Sequence, residues 1–324
     1  SGHLQMMNAA RPVDDWLVDP ATPERLRPQL RLAQRIRTFA SRELALPDNA
    51  SYHRYADLHR SAALWNVVAA PPLSLTLRTW CLPVAGCVGY RGWFDEARAQ
   101  AEATRLRQEG WEAAVYPVPA YSTLGWMNWA GGDPLLNTFI GYGEGELAQL
   151  MFHELAHQVV YVKDDTTFNE SFAVAVERLG GARWMAQHAS AAARDEDAKL
   201  AQRRQDFRAL TLRTRAQLQA LYAGPLSDDA KRAAKAAVQG KTLTDIAVDM
   251  WNHAPRMAGI LLLDLRKALV EGVVRHRASQ RRADNLTQPL VAVEHIECSK
   301  LVLLLAVLVQ LDERAVCADQ EVAF

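Results

Sequence analysis

Glu144-Gly145-Glu146-Leu147-Ala148-Gln149-Leu150-Met151-Phe152-His153-Glu154-Leu155-Ala156-His157-Gln158-Val159-Val160-Tyr161-Val162 is the stretch on which the reading of this chain turns. Leu147, Leu150, Met151, Leu155, Val159 and Val160 surround a helix almost completely, so the spacing predicts one buried helix over residues 144–162. Glu144 and Glu146 fall in its first turn, where negative charge complements the helix dipole. His153 and His157 are four apart and share a face. Imidazoles and a carboxylate on a buried helix need partners, because unsatisfied polar groups are costly to bury. A metal ion supplies them. Neutral imidazole suits Zn²⁺, and two ligands one turn apart leave positions for a third ligand and a water. Glu154 projects beside that water, where it can take a proton and later pass it to a leaving amine. Two solvent-facing histidines on an ordinary helix are the plain alternative, and the apolar surroundings count against it.

A third ligand is expected from a following helix, and Glu170 leads. Twelve residues separate it from His157, enough for the chain to turn back and lay a second helix, expected over residues 168–179, beside the first. Thr167-x-x-Glu170 also reads as a capping box, in which Glu170 would bond back to the Thr167 N–H. Asp164 and Asp165 are rival ligands, though their place so soon after His157 suits them better to orienting a ligand imidazole. Glu177 lies two turns beyond Glu170 and is open to the same orienting role or to solvent. Gly180-Gly181 is expected to stop or kink this helix.

Working outward, Thr22-Pro23-Glu24 predicts a helix start with Thr22 as cap, running to about Leu46, with Pro28 either tolerated near its start or marking a shifted boundary. ALWNVVA, LSLTLRTW and CVGYRGW, within residues 63–93, read as short strands. Asp95 caps a helix that ends before Gly110, and residues 111–118 form a further strand. Beyond residue 144 the pattern is helical, with further helices at about 195–222, 227–238 and 244–276, the last interrupted at Pro255. The fold class that results is α+β, a zincin-like metallopeptidase with a small mixed sheet. Its mixed part spans residues 1–143 and its largely helical part residues 144–324, together forming one catalytic unit.

An extended substrate would pair with an edge strand beside the motif helix, and residues 118–125 are placed for it, with Tyr121, Ser122, Thr123, Leu124 and Gly125 in contact. A Pro-rich surface loop is the alternative for that segment. An electrophilic donor should face the developing oxyanion, and Tyr161, Tyr121 and His253 are the candidates.

The chain has 324 residues, 49% hydrophobic and 23% charged, with 37 basic and 37 acidic side chains. That balance argues against a general nucleic-acid binder; the local basic cluster at 275–282 reads as a solvated helix end. No apolar run reaches the ~20 residues of a membrane span. Residues 301–311, with Gln310 inside, read as a buried helix. Ser1-Gly2-His3 resembles a tag remnant, so an upstream segment is expected to have been removed. Cys81 and Cys87 flank Pro83 and Gly86, a turn that can bring the sulfurs together, and both a disulfide and two free thiols stay open from the residues alone. Cys298 and Cys317 carry no motif.

The run His153 to Tyr161, followed by Asp164-Asp165-Thr166-Thr167-Phe168-Asn169-Glu170-Ser171-Phe172-Ala173, resembles the bacterial family of predicted aminopeptidases, zinc peptidases often made as lipoproteins. Ala10-Arg11-Pro12-Val13, the stretch from Thr79-Trp80-Cys81 to Gly89-Tyr90-Arg91-Gly92, and Pro119-Ala120-Tyr121-Ser122-Thr123-Leu124-Gly125-Trp126 carry the same resemblance, which covers residues 8–180. Asn169-Glu170-x-Phe172-Ala173 is also similar to the Asn-Glu-Gly-Phe-Ala of the large zinc aminopeptidases, which implies Glu170 as third ligand. The resemblance implies a peptide or protein substrate, a Cys81–Cys87 disulfide and a periplasmic or lipid-anchored location, the anchor lying upstream. The large aminopeptidases hold the substrate's free amine with a Gly-x-Met-Glu-Asn strand, and residues 120–126 contain no acid. Residues after about 256 depart from the family. Two other readings stay in view: a zinc endopeptidase or an amidase for a non-peptide or cell-wall substrate, and a non-catalytic module stapled by zinc, for which an intact Glu154 would have no use.

Overall fold

The computed structural model of the protein describes residues 2–82, 86–120 and 122–253. The expected helix interruption at Pro255, the apolar run at 301–311, the basic cluster at 275–282, Cys298, Cys317 and Tyr121 all lie outside the described residues.

The β-rich part forms not one mixed sheet but two three-stranded sheets and a hairpin. β1 (Arg11–Pro12) pairs antiparallel with β2 (Arg54–Ala56), which pairs parallel with β8 (Leu135–Leu136). β3 (Leu64–Ala70) is the centre of the second sheet, between β6 (Arg91–Trp93) and β7 (Glu112–Val118), all antiparallel. Its register against β7 runs unbroken from Leu64↔Val118 to Ala70↔Glu112. β3 is apolar along nearly its whole length because both faces are covered. On one face α4 (Glu96–Gln108) lays Ala99, Ala103 and Leu106 over Trp65, Val67 and Ala69. On the other, Val68, Ala70 and Ala114 pack with Leu77, Tyr90 and Tyr116. As expected, Asp95 caps α4, accepting from the Arg98 N–H at 2.8 Å, and Gly110 follows at φ +87°.

LSLTLRTW is not a strand: only Trp80 of it enters a ladder, in the hairpin of β4 (Trp80–Leu82) and β5 (Gly86–Val88). The Pro71-Pro72 turn takes residues 73–79 off the edge of the sheet, and the Arg78 N–H to the Ala69 carbonyl is the backbone bond that ties them back. Cys81 and Cys87 sit opposite each other in the hairpin and are disulfide-bonded. CVGYRGW breaks at Gly89-Tyr90 into β5 and β6.

Two short helices, α1 (Gly2–Ala9) and α2 (Val13–Val18), flank β1, and α3 (Leu26–Glu43) follows before β2. α3 starts later than expected. Thr22 is buried rather than capping, Arg25 stands at the cap position, and Pro28 falls in the first turn, where no intrahelical N–H bond is lost. α3 packs on α5 (Glu144–Ala156) and α6 (Thr166–His188), where Phe39 meets Phe152 and Trp184 at ring-centroid distances of 5.9 and 5.3 Å. α7 (Ala191–Ala223) and α8 (Asp228–His253) follow as an antiparallel pair, α8 unbroken where two helices were expected. No described helix is long and apolar enough to cross a membrane.

Two corrections bear on the site. α5 ends at Ala156, not at Val162. His157 is its cap residue, and the Gln158 and Val159 N–H groups bond three residues back, tightening the last turn. The Gln158 side chain then anchors the exit, donating to Ser51 at 3.2 Å and Asp133 at 3.3 Å and accepting from Asn49 at 2.8 Å. The β-branched Val159, Val160 and Val162 beyond it have little reason to stay helical.

α6, by contrast, runs straight through Gly180-Gly181. These glycines are an approach surface. A Cβ on Gly180 would lie 2.6 Å from Leu44 Cδ1 and 3.0 Å from Phe152 Cδ2, and one on Gly181 2.7 Å from Gln149 Cγ. Packing between α5 and α6 outweighs the local helix cost of glycine, ~1 kcal/mol each. Gly180→Val is expected to lose ~1–3 kcal/mol by overpacking, seen as a lower urea midpoint at unchanged slope. An unchanged midpoint would show that the contact is not tight.

Candidate metal centre

The close approach of α5 and α6 brings together three side chains: His153 and His157 at the end of one helix and Glu170 in the first turns of the other. Their candidate ligand atoms lie within 4.8 Å of one another. The two Nε2 atoms are 3.2 Å apart, His153 Nε2 is 3.4 Å from Glu170 Oε2, and His157 Nε2 is 3.8 Å from Glu170 Oε1. Bonds of ~2.0–2.2 Å at tetrahedral angles put ligand atoms about 3.3–3.5 Å apart, so this triangle has the dimensions of one face of a zinc tetrahedron. The imidazole planes stand at 86°, with ring centroids 4.8 Å apart.

The rivals for the third position are committed elsewhere. α6 begins at Thr166 with Asp165, not Thr167, as its cap; the Asp165 carboxylate accepts from the Phe168 N–H at 2.9 Å. Glu170 is therefore not the partner in a capping box at Thr167. Asp164, at φ +66°, accepts from the Cys87 N–H at 3.1 Å and so grips the disulfide hairpin rather than an imidazole. Gly86 makes this grip possible, since a Cβ there would fall 2.0 Å from Asp164 Oδ1. The orienting role falls to Glu177, whose Oε2 is 2.9 Å from His153 Nδ1. With Nδ1–H donating to that carboxylate, the Nε2 lone pair is free for a cation. His157 Nδ1 is buried with no hydrogen-bond partner among the described residues.

Charge tells the same story. Burial works against a proton on His153, but hydrogen bonds to Glu170 and Glu177 outweigh it and push its pKa up to about 10. Burial takes His157 the other way, down to about 4, with Glu170 only partly offsetting. The three atoms thus call for positive charge between them, which a proton on His153 or a divalent cation supplies. Burial also pushes Glu154 up to about 7, against the pull of His153 and with help from Glu170. A carboxyl poised near neutrality is suited to taking and returning a proton.

Asn169 is a site residue that the reading from sequence passed over. It is 2% exposed, and its amide closes on Val162 twice, accepting from the N–H at 2.7 Å and donating to the carbonyl at 2.7 Å. It thereby fixes the link between the helix of the two histidines and Glu170; its place immediately before Glu170 was the available signal. Burial raises the pKa of Tyr90, and Glu170, Tyr116, Tyr161 and Glu154 add to the rise.

The segment expected as a substrate-pairing strand ends as a strand at Val118. Residues 122–125 turn instead, with Leu124 at φ +55° and Gly125 at φ +76°. The Thr123 N–H is taken by the Asp133 carboxylate at 3.1 and 3.2 Å, and the Leu124 N–H by Ser122 Oγ at 3.0 Å. Ser122 Oγ also reaches the Glu154 carbonyl at 3.5 Å, so the turn abuts the motif. Of the expected oxyanion donors, Tyr161 lies in the loop between α5 and α6, where burial and then Glu170 and Asp164 raise its pKa. His253 ends α8 with its side chain outside the description, and Tyr121 is not described. A cavity of about 220 Å³ runs from His153 and Glu154 along α5, past Leu150 and Glu146, to Glu177 and Arg204.

Small sheets precede a helical half in which the histidines of a His-Glu-x-x-His helix meet a glutamate from the next helix, a group with the ligand atoms to hold a metal ion, beside a buried carboxyl. The family model described as Putative aminopeptidase matches residues 1–257, and the chain belongs to that family. No curated protein and no solved structure matches it.

Proposed function

We propose that this protein is a zinc-dependent aminopeptidase. The observation that carries the reading is the triangle of His153, His157 and Glu170, of zinc-ligand dimensions, with Glu154 buried next to it. Two imidazoles and one carboxylate are a donor set suited to zinc, and they leave a fourth position open, as hydrolytic sites require. Bound there, zinc would supply Lewis acidity to a water and to the scissile carbonyl.

The chain's own residues do the rest. Glu154 accepts a proton as the water oxygen adds to the carbonyl carbon, and returns it to the amide nitrogen as the C–N bond breaks. Glu177 holds the His153 ring so that Nε2 faces the triangle. The turn at 122–125 lines the approach to Glu154, and the cavity beside Leu150 and Glu146 gives a substrate side chain room. The disulfide supports action in an oxidising compartment, consistent with an exported protein.

One observation favours endopeptidase action as a second reading: residues 120–126 offer no acid for a substrate amine. A digest of an unbiased peptide library by the zinc-loaded protein separates the two. Stepwise loss of amino-terminal residues is expected. Internal cuts alone would support the endopeptidase, and intact peptides throughout would end the peptidase reading.

A further inference from the structure

The cavity of about 220 Å³ that begins at His153 and Glu154 has a wall of mixed character. Glu146 lines it seven residues before His153 on α5, about 10 Å along the helix axis. Leu150 lies between the two, and Tyr142 adds a ring to the wall. Three carboxyls, those of Glu146, Glu154 and Glu177, face this space with one guanidinium, that of Arg204. Glu177 is engaged by His153 Nδ1 at 2.9 Å. Glu154 is nine-tenths buried, and its carboxyl makes no hydrogen bond to any described residue. Glu146 accepts from Arg204 at 2.8 Å and from the Gly143 N–H. A carboxylate has about four lone-pair sites, so it keeps room for a further donor. Arg204 itself is half exposed and also donates to Gln149 at 3.2 Å, so it closes the end of the cavity without filling it.

We propose that this cavity is the side-chain subsite for the substrate residue whose carbonyl is attacked, and that it selects lysine or arginine, the cationic head meeting the carboxyl of Glu146. The proposal rests on the peptidase reading above and names its substrate class. Lysine and arginine lay an apolar stem along apolar surface and carry the charge at the tip, which matches Leu150 and Tyr142 along the wall and Glu146 two turns from the metal end. A short side chain would leave Glu146 unmet, and a long apolar one would cover its carboxyl without offering a donor. Hydrogen bonds between charged partners are the strong ones, and the cavity walls hold this one partly out of water. Arg204 competes for the same carboxyl, so it tempers the selection.

Peptides identical except for lysine, norleucine or glutamate before the scissile bond test this, each offered with a free amino terminus and acetylated. Norleucine keeps the stem of lysine and lacks the ammonium, so the lysine-to-norleucine ratio of kcat/KM reads the charge alone. The zinc-loaded parent is expected to favour lysine by ~10–100-fold, the range for a hydrogen bond to a charged group. Glu146→Gln should bring that ratio close to one, and Arg204→Gln should raise it several-fold by removing the competing cation. Opposite shifts are the signature, because both substitutions break the same ion pair. A fall of the ratio in both variants would overturn the proposal, since the pair would then only shape the wall. Should Glu146→Gln fail to fold, the parent's ratio and its rise in Arg204→Gln still decide. A parent that cuts after norleucine as well as after lysine overturns the proposal, and one that prefers glutamate gives the subsite to Arg204 instead. Either result leaves the peptidase reading standing, whereas a parent that cuts none of the peptides overturns both.

Discussion

Glu154→Gln is expected to keep its zinc and to lose hydrolysis by about 10²–10⁴-fold. The amide has the shape of the carboxyl but cannot accept the proton that leaves the attacking water. His153, His157 and Glu170 are untouched, so metal content should match the parent's. The fold should not suffer either. Glu154 is 9% exposed, and a neutral side chain there escapes the penalty of burying a charge; a melting temperature equal to or above the parent's is expected. Loss of zinc in this variant would mean that Glu154 takes part in holding the metal. Full activity would mean that it is not the base.

Glu170→Gln should fail in a different way. A neutral amide oxygen is a weaker ligand, so zinc affinity should fall, and activity lost at low zinc should return when zinc is added in excess. Helix α6 should be unharmed, because its cap is Asp165 and Glu170 has no part in it. Zinc binding and activity both equal to the parent's would remove Glu170 from the ligand set. Asp164 and Asp165 are engaged by the hairpin and the cap, and Glu177 sits on the Nδ1 side of His153, so an unchanged variant would leave the triangle without an obvious third member.

The grouping of the two histidines was legible in the sequence because it depends on helical spacing. His153 and His157 one turn apart, and Glu154 between them, are placed by the periodicity of α5 alone. The α4 helix was legible for a similar reason: Asp95 and Gly110 are local signals, and nothing in the packing contradicts them. Where the reading went astray, tertiary contact had overruled local preference. Gly180-Gly181 looks like a break in one dimension, yet it lets α6 lie close on Phe152 and Gln149. Residues 159–162 continue the apolar pattern of α5, but Gln158 is drawn out of the helix by Asn49, Ser51 and Asp133, more than twenty residues away in each case. The choice between Thr167 and Asp165 as the cap of α6 turned on a start two residues earlier, finer than pattern resolves. The fastening of the disulfide hairpin to the loop between the ligands could not be found by spacing at all, since Cys87 and Asp164 are 77 residues apart.

The central claim is that His153, His157 and Glu170 hold a zinc ion. Its most direct test is the zinc content of the parent chain, purified without chelators and then offered zinc, beside His153→Ala and His157→Ala treated alike. Measured by plasma mass spectrometry, the parent should carry about one zinc per chain and each variant almost none. A parent that carries no zinc and takes none up, or variants that bind it as tightly as the parent, would contradict the account.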